Sequence, residues 1–215
     1  MTDTGPIVFI VDDNDDVRTS LVNLCQSVNL TAQAFSSIEA FLREARPNGP
    51  ACLILDVRFP GSGSSGLEFQ RRLAEGHALL PIIFISGHAD VPMSVQAMKR
   101  GAVDFLIKPI REQDLLDAIH EALARDRHQR QRHAAAEVLR QRFELLSARE
   151  RTIMRLVTTG LLNKQIAADL DLSEVTVKVH RGHIMEKMQA TSLPDLVRMM
   201  DQLAETPADD TTDQT

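Results

Sequence analysis

Apolar positions follow two different rhythms along the chain. In the front part five short runs, at 7–11, 31–35, 51–55, 81–85 and 103–107, alternate with polar stretches of helical period. Runs this short, most of them rich in Ile, Val, Leu or Phe, predict strands buried on both faces of a parallel sheet. Between them Val17, Leu21 and Leu24 share one helical face, and Leu115, Leu116, Ile119 and Leu123 share another. Ser36 and Glu39 have the spacing of a capping box and predict a helix through Ala40, Phe41 and Leu42. Gly87, Gly101 and the glycine-rich stretch 61–66 supply turns. The alternation predicts a doubly wound, five-stranded α/β domain over residues 1–124, a fold that binds ligands at the carboxyl ends of its strands.

The rear part has only the helical rhythm. No Pro or Gly interrupts residues 112–146, so the last front helix is expected to run on through a helical linker at 125–146. Its apolar residues Val138, Leu139, Phe143, Leu145 and Leu146 do not sustain heptads, which argues for a spacer over a coiled coil. Ser147 and Glu150 form a second capping-box pattern ahead of Ile153, Leu156 and Val157, and Gly160 ends that helix. Ile166, Ala167 and Leu170 mark another helix. After Asp171 and Leu172, Ser173 caps a third over 174–188. Pro194 sits in the first turn of a fourth, where its missing N–H is harmless. A short helix, a three-residue turn and a longer helix predict a helix-turn-helix inside an all-α, four-helix domain at 147–205.

Composition narrows the possibilities. The chain has 215 residues, of which 43% are hydrophobic and 25% charged, which excludes a wholly disordered chain. No apolar run approaches the ~20 residues that span a bilayer, and no secretory leader pattern is present, so no membrane partner is expected. Two cysteines, Cys25 and Cys52, make no disulfide framework and suggest a reducing, cytoplasmic setting. The net charge of -6 is unevenly spread: residues 1–124 are acidic, 125–146 basic, 147–205 neutral, and the tail 206–215, expected to be disordered, acidic again. With no Trp and no Tyr, stacking of single-stranded bases on aromatic platforms is disfavoured.

Polar residues then cluster where the predicted strands end. Asp12 and Asp13 follow the first, Asp56 the third, Ser86 and Gly87 the fourth, and Lys108 the fifth, whereas the second contributes nothing. If the first strand lies beside the third, three carboxylates converge within a few ångströms and need a cation. Hard oxygen ligands of this kind suit Mg²⁺. Such an ion prepares a carboxylate to accept a phosphoryl group, with an ammonium and a hydroxyl taking up the remaining charge. Taken singly, the acids of 12–16 read as helix N-terminal charges and Lys108-Pro109 as a turn. Their joint placement favours the chemical reading.

The third rear helix carries the other candidate surface. At ~100° per residue, Val177, Ile184 and Met188 face the core, while Val175, Lys178, Val179, Gly182 and Glu186 face outward. Outward valines fit thymine methyl groups in a major groove, Lys178 offers a charge, and Gly182 permits close backbone approach. Thr176, His180, Arg181, His183 and Lys187 flank that face, where phosphate contacts are expected. A bundle serving only protein interaction is the competing reading.

At Val11-Asp12-Asp13, at 55–61, at Ser86-Gly87-His88 and at 104–109 the chain resembles the receiver domain of two-component response regulators. The resemblance implies that Asp56 is the phosphoacceptor, with Asp12, Asp13 and the backbone carbonyl of Arg58 completing an Mg²⁺ site. It makes Ser86 the responding hydroxyl, Phe105 the aromatic switch and Lys108 the charge partner. The loop at 58–66 is about two residues longer than the usual pattern of that family, and its small residues suggest a mobile wall. Arg58 and His88 are expected to screen or orient attacking water. An aspartyl phosphatase is disfavoured, because the second acid such enzymes need two residues after the nucleophile is Arg58 here. No enzyme is expected.

Segments 146–150, 160–167 and 173–181 resemble the LuxR-type DNA-binding domain, so the whole chain is similar to the FixJ/NarL class of transcriptional response regulators. By that resemblance Asn163, Lys164, Thr176, Lys178 and Val179 face DNA, with His180 and Arg181 beside them. Gly182 departs from members that carry a basic residue there. The implied partners are a sensor histidine kinase, double-stranded promoter DNA, a second copy of the chain when phosphorylated, and RNA polymerase. A phosphorylation-controlled docking factor, or a constitutive DNA-binding regulator with a vestigial pocket, remain the alternatives.

Overall fold

The computed structural model describes residues 5–44, 48–59, 66–75, 80–87 and 91–205. The chain forms two compact units, Met1–Arg130 and Gln131–Thr215. In the first, β1 (Ile7–Val11), β2 (Thr31–Phe35), β3 (Ala51–Asp56), β4 (Ile82–Ser86) and β5 (Asp104–Ile107) form one parallel sheet in the order β2-β1-β3-β4-β5. The helices are α1 (Asp15–Ser27), α2 (Ile38–Leu42), α3 (Gly66–Glu75), α4 (Val91–Lys99) and the front of α5 (Glu112–Glu144).

Alternation along the central strands separates two cores. Phe9, Val11, Leu53, Leu55 and Phe84 face one way, against Phe41 of α2, Leu67 and Phe69 of α3 and Ala97 of α4. Val8, Ile10, Cys52, Ile54, Ile83 and Ile85 face the other, against Leu21 and Cys25 of α1 and Leu115, Ile119 and Leu123 of α5. Each fully buried aliphatic side chain here contributes about 1.5–3 kcal/mol. Burial on both faces holds for β1, β3 and β4. The edge strand β2 is half-exposed, because it has a neighbour on one side only. The cap of α2 also falls one residue later than its pattern suggested: Ser37 Oγ, not that of Ser36, accepts the Ala40 N–H at 3.1 Å.

Both cysteines are buried and free. Burial pushes the Cys25 thiol up to about 11, and burial, then the proximity of Cys25 and Asp126, raises Cys52 as well. Neither is a reactive thiolate. At the opening end of β3, the Ala51 N–H donates 2.8 Å to Oδ2 of buried Asp126 on α5, which also pairs with Arg130 at 2.6 Å.

The second unit takes the remainder of α5 together with α6 (Ala148–Thr158), α7 (Asn163–Leu170), α8 (Glu174–Met188) and α9 (Leu193–Glu205). Ile153, Met154, Val157, Ile166, Val177, Ile184, Met188 and Leu196 close its core. Ser147 and Glu150 complete a reciprocal capping box at the start of α6. Asp171, in the left-handed region at φ 53°, turns the chain from α7 toward α8, where Ser173 Oγ accepts the Thr176 N–H. Among the described residues no helix is long and apolar enough to cross a membrane.

Candidate functional site

Parallel strands release their carboxyl ends at one edge of the sheet. Val11 pairs with Leu55, Asp56 with Ile85, and Ser86 with Ile107, so Asp12, Asp56, Ser86 and Lys108 leave the sheet side by side. The Lys108 N–H donates to Ser86 O at 2.8 Å and ties the last two strand tips together. The Lys108-Pro109 peptide bond is cis. Gly66 brings the chain back against this edge: a Cβ there would stand 2.5 Å from Asp56 O, so only glycine fits.

Lys108 Nζ lies 2.7 Å from Asp12 Oδ2 and 2.8 Å from Asp56 Oδ1, bridging two buried carboxylates. The remaining oxygens are also engaged. Asp12 Oδ1 accepts the Asn14 N–H at 2.8 Å, and Asp56 Oδ2 accepts the Arg58 N–H at 2.7 Å. Burial raises the Asp56 carboxyl above its ordinary 3.8, against hydrogen bonds from Lys108 and Arg58 that only partly offset it. For Lys108 burial acts downward, but its bonds to Asp12 and Asp56 win and raise it.

Asp13 is exposed. Among the described residues, the three His, Cys, Asp or Glu side chains whose ligand atoms lie within 4.8 Å of one another are Glu150, His180 and His183, not the three acids of this pocket. The expected convergence of three carboxylates is therefore a close approach of two, Asp12 and Asp56, bridged by the Lys108 ammonium, with Asp13 exposed. Asp12 and Asp56, with exposed Asp13 next in the chain, offer hard carboxylate oxygens of the kind that fits a magnesium-like cation.

Ser86 is buried, Gly87 exposed, and Phe105 half-buried with its ring 6.2 Å from that of Phe84. Two residues had no chemical role in the sequence pattern. Asn14 caps α1 while bracing Asp12, and Arg18 Nη1 donates to the Asp12 carbonyl at 2.6 Å. The capping asparagine was legible as a cap type, whereas the arginine contact needs the helix in place. Residues 60–65, which include most of the extended loop, and His88 lie outside the described residues, as does the tail 206–215.

In the second unit, α8 presents Val175 and Val179, 72% and 51% exposed, along with exposed Lys178 and Gly182. A Cβ at Gly182 would meet nothing within 4 Å, so the helix surface is open there. Lys164 is exposed at the start of α7. Arg181 Nη1 donates 2.6 Å to Asn163 Oδ1, joining two of the expected DNA-facing residues across α7 and α8. Thr176 is half-buried beside its cap, and His180 is half-buried with Nδ1 unpartnered. Lys187, expected near phosphate, is instead committed to Glu150 at 2.7 Å. Burial raises the Glu150 carboxyl, but Lys187 and the N–H and hydroxyl of Ser147 outweigh it and hold it at about 2.

Known proteins share both units. Residues 8–120 match the family described as response regulator receiver domain, and residues 144–200 match bacterial regulatory proteins of the luxR family. The chain is 52% identical over 200 residues to nodulation protein W of Bradyrhizobium diazoefficiens, covering 93% of this chain and 87% of that one. It is 42% identical over 205 residues to the transcriptional regulatory protein FixJ of Azorhizobium caulinodans, covering 95% and 96%. Among solved structures, the response regulator StyR superposes with a TM-score of 0.80 at 44% identity, covering 93% of this chain and all of that one. Full-length FixJ from B. japonicum gives 0.55 at 36% identity, covering 96% of this chain and all of that one. A parallel sheet with acids at its carboxyl edge, followed by a helix-turn-helix and matched over nearly the whole length, places the chain in the response-regulator family as a receiver joined to a LuxR-type DNA-binding domain.

Proposed function

We propose that a sensor histidine kinase phosphorylates this chain on Asp56, and that the phosphorylated form dimerises and binds promoter DNA in the cytoplasm. The observation that carries the reading is the single Lys108 ammonium held between the buried carboxylates of Asp12 and Asp56. Receiver domains bind Mg²⁺; here Asp12, Asp13, Asp56 and the Arg58 carbonyl are the residues to hold it, and when bound it supplies positive charge to incoming phosphoryl oxygens. Asp56 then contributes the attacking oxygen, and the bond from phosphorus to the kinase imidazole breaks. Lys108 exchanges a carboxylate contact for a phosphoryl oxygen, and Ser86, tied to it through the backbone, turns its hydroxyl to the same group. Phe105 turns into the space that Ser86 vacates. The modification biases an existing equilibrium and builds no new fold.

Val91, Val95 and Met98 line one face of α4 and are exposed together with Ile107 of β5. An apolar face of this kind supports dimerisation of the receiver. Two copies present two α8 helices to two half-sites of double-stranded DNA, read by Lys178, Val179 and Thr176 and oriented by Asn163, Lys164, His180 and Arg181, with Gly182 allowing close approach. Contact with RNA polymerase belongs to the same proposal. Asp56→Asn is expected to abolish labelling by acetyl phosphate in magnesium and the phosphate-dependent gain in DNA affinity measured by gel shift. Labelling that persists in Asp56→Asn overturns the assignment.

A further inference from the structure

The second unit holds a group of ligand atoms that phosphorylation does not use. His180 and His183 lie three residues apart on α8, so both rings project from one side of the helix, and Glu150 approaches from α6. One ligand atom from each lies within 4.8 Å of the other two. His183 Nδ1 is 3.8 Å from Glu150 Oε1. The other carboxylate oxygen, Oε2, is the one that takes the Ser147 N–H at 2.8 Å and Lys187 Nζ at 2.7 Å, so Oε1 is left facing the imidazole. His180 Nδ1 is buried and makes no hydrogen bond, an unfavourable state for a ring nitrogen unless something binds the ring.

We propose that Glu150, His180 and His183 form a binding site for a transition-metal dication of the zinc class, with a fourth position left to solvent. Two imidazoles and one carboxylate suit Zn²⁺, whereas Mg²⁺ prefers an all-oxygen shell. Zinc–nitrogen bonds of about 2.0–2.1 Å need the ligand atoms to draw closer than they stand now. Rotation of the His183 side chain, which is 56% exposed, supplies that movement and leaves a path for the ion. Lys187 stays on Oε2. The bound ion clamps α6 to α8, adds positive charge to α8 and withdraws both histidines from phosphate contact.

The test is zinc titration of the full chain against a chromophoric chelator, with excess Mg²⁺ present to occupy the receiver pocket. One saturable equivalent of micromolar or tighter affinity is expected. His180→Ala and His183→Ala should each weaken it by at least about tenfold. Co²⁺ used as the probe should give visible absorption bands of tetrahedral type that His183→Ala loses. A double variant of the linker histidines, His128→Ala with His133→Ala, should leave both readouts unchanged. The proposal is overturned by absence of saturable zinc binding, by affinity in either α8 variant unchanged from that of the parent chain, or by loss of binding in the linker variant.

Discussion

Each unit sets one lysine against buried acid, two carboxylates in the first and one in the second, and the two arrangements have opposite characters. Asp56 shares the Lys108 ammonium with Asp12, and burial wins: its carboxyl is raised. Glu150 has Lys187 without a competing acid and takes both the N–H and the hydroxyl contact of Ser147, and there the hydrogen bonds win: its carboxyl falls to about 2. One cation between two acids leaves charge incompletely compensated. One cation on one acid at a helix cap leaves that carboxylate compensated and held in place. Similar residue pairs therefore serve different ends, and the count of partners decides which.

The largest effect expected from this contrast is on the structural pair. Glu150→Gln removes the charge facing half-exposed Lys187 and weakens the capping box, and should cost about 1–3 kcal/mol. Hydrogen exchange should report the loss in α6 and α8 amides with β1 and β3 unaffected. Asp56→Asn should act in the opposite direction. Its removal leaves Lys108 to Asp12 alone and should stabilise the receiver at neutral pH by about 1 kcal/mol, read by the same exchange experiment in β1 and β3. Loss of stability in Asp56→Asn would put the two pairs in one class and end the comparison.

Acid should separate them further. The folded Glu150 value of about 2 lies below its ordinary 4.5, so its stabilisation is full above pH 4.5 and disappears as pH falls toward 2. Asp56 is raised, so its favourable contribution is full below its ordinary 3.8 and is lost as pH rises through the folded value. The stability gained in Asp56→Asn should thus fade on acidification toward 3.8, while the deficit of Glu150→Gln persists until below 4.5. Urea unfolding of both variants across that range measures the crossing. The smallest effect concerns DNA: Lys178→Ala should flatten the salt dependence of binding by about one unit if it meets phosphate. Lost sequence preference at an unchanged slope would instead assign it to a base edge.

Features with a local cause were readable before any fold was known. β1, β2 and α8 begin and end where hydrophobic period and caps put them, and α5 runs almost as far as the absence of Pro and Gly allows. The carboxyl-edge pocket followed from strand ends once β1 lay beside β3. What depends on distant contacts was not readable. Adjacent serines at 36 and 37 compete for one cap, and only the backbone path selects Ser37. Lys187 looked like a phosphate ligand on a helical wheel, because Glu150, the acid it pairs with, arrives from another helix. Asp13 looked like an equal member of an acidic trio, but the strand end turns it to solvent.

The bond from Asp126 to Ala51 bears on how the protein is divided for experiment. A receiver fragment stopped at residue 124 would strip the opening amide of β3 of its acceptor, at a place the intact chain keeps buried. Stopping after Arg130 keeps the acid together with its arginine. A truncated receiver that labels poorly should therefore first be remade six residues longer, before any fault is sought at the opposite end of the same strand.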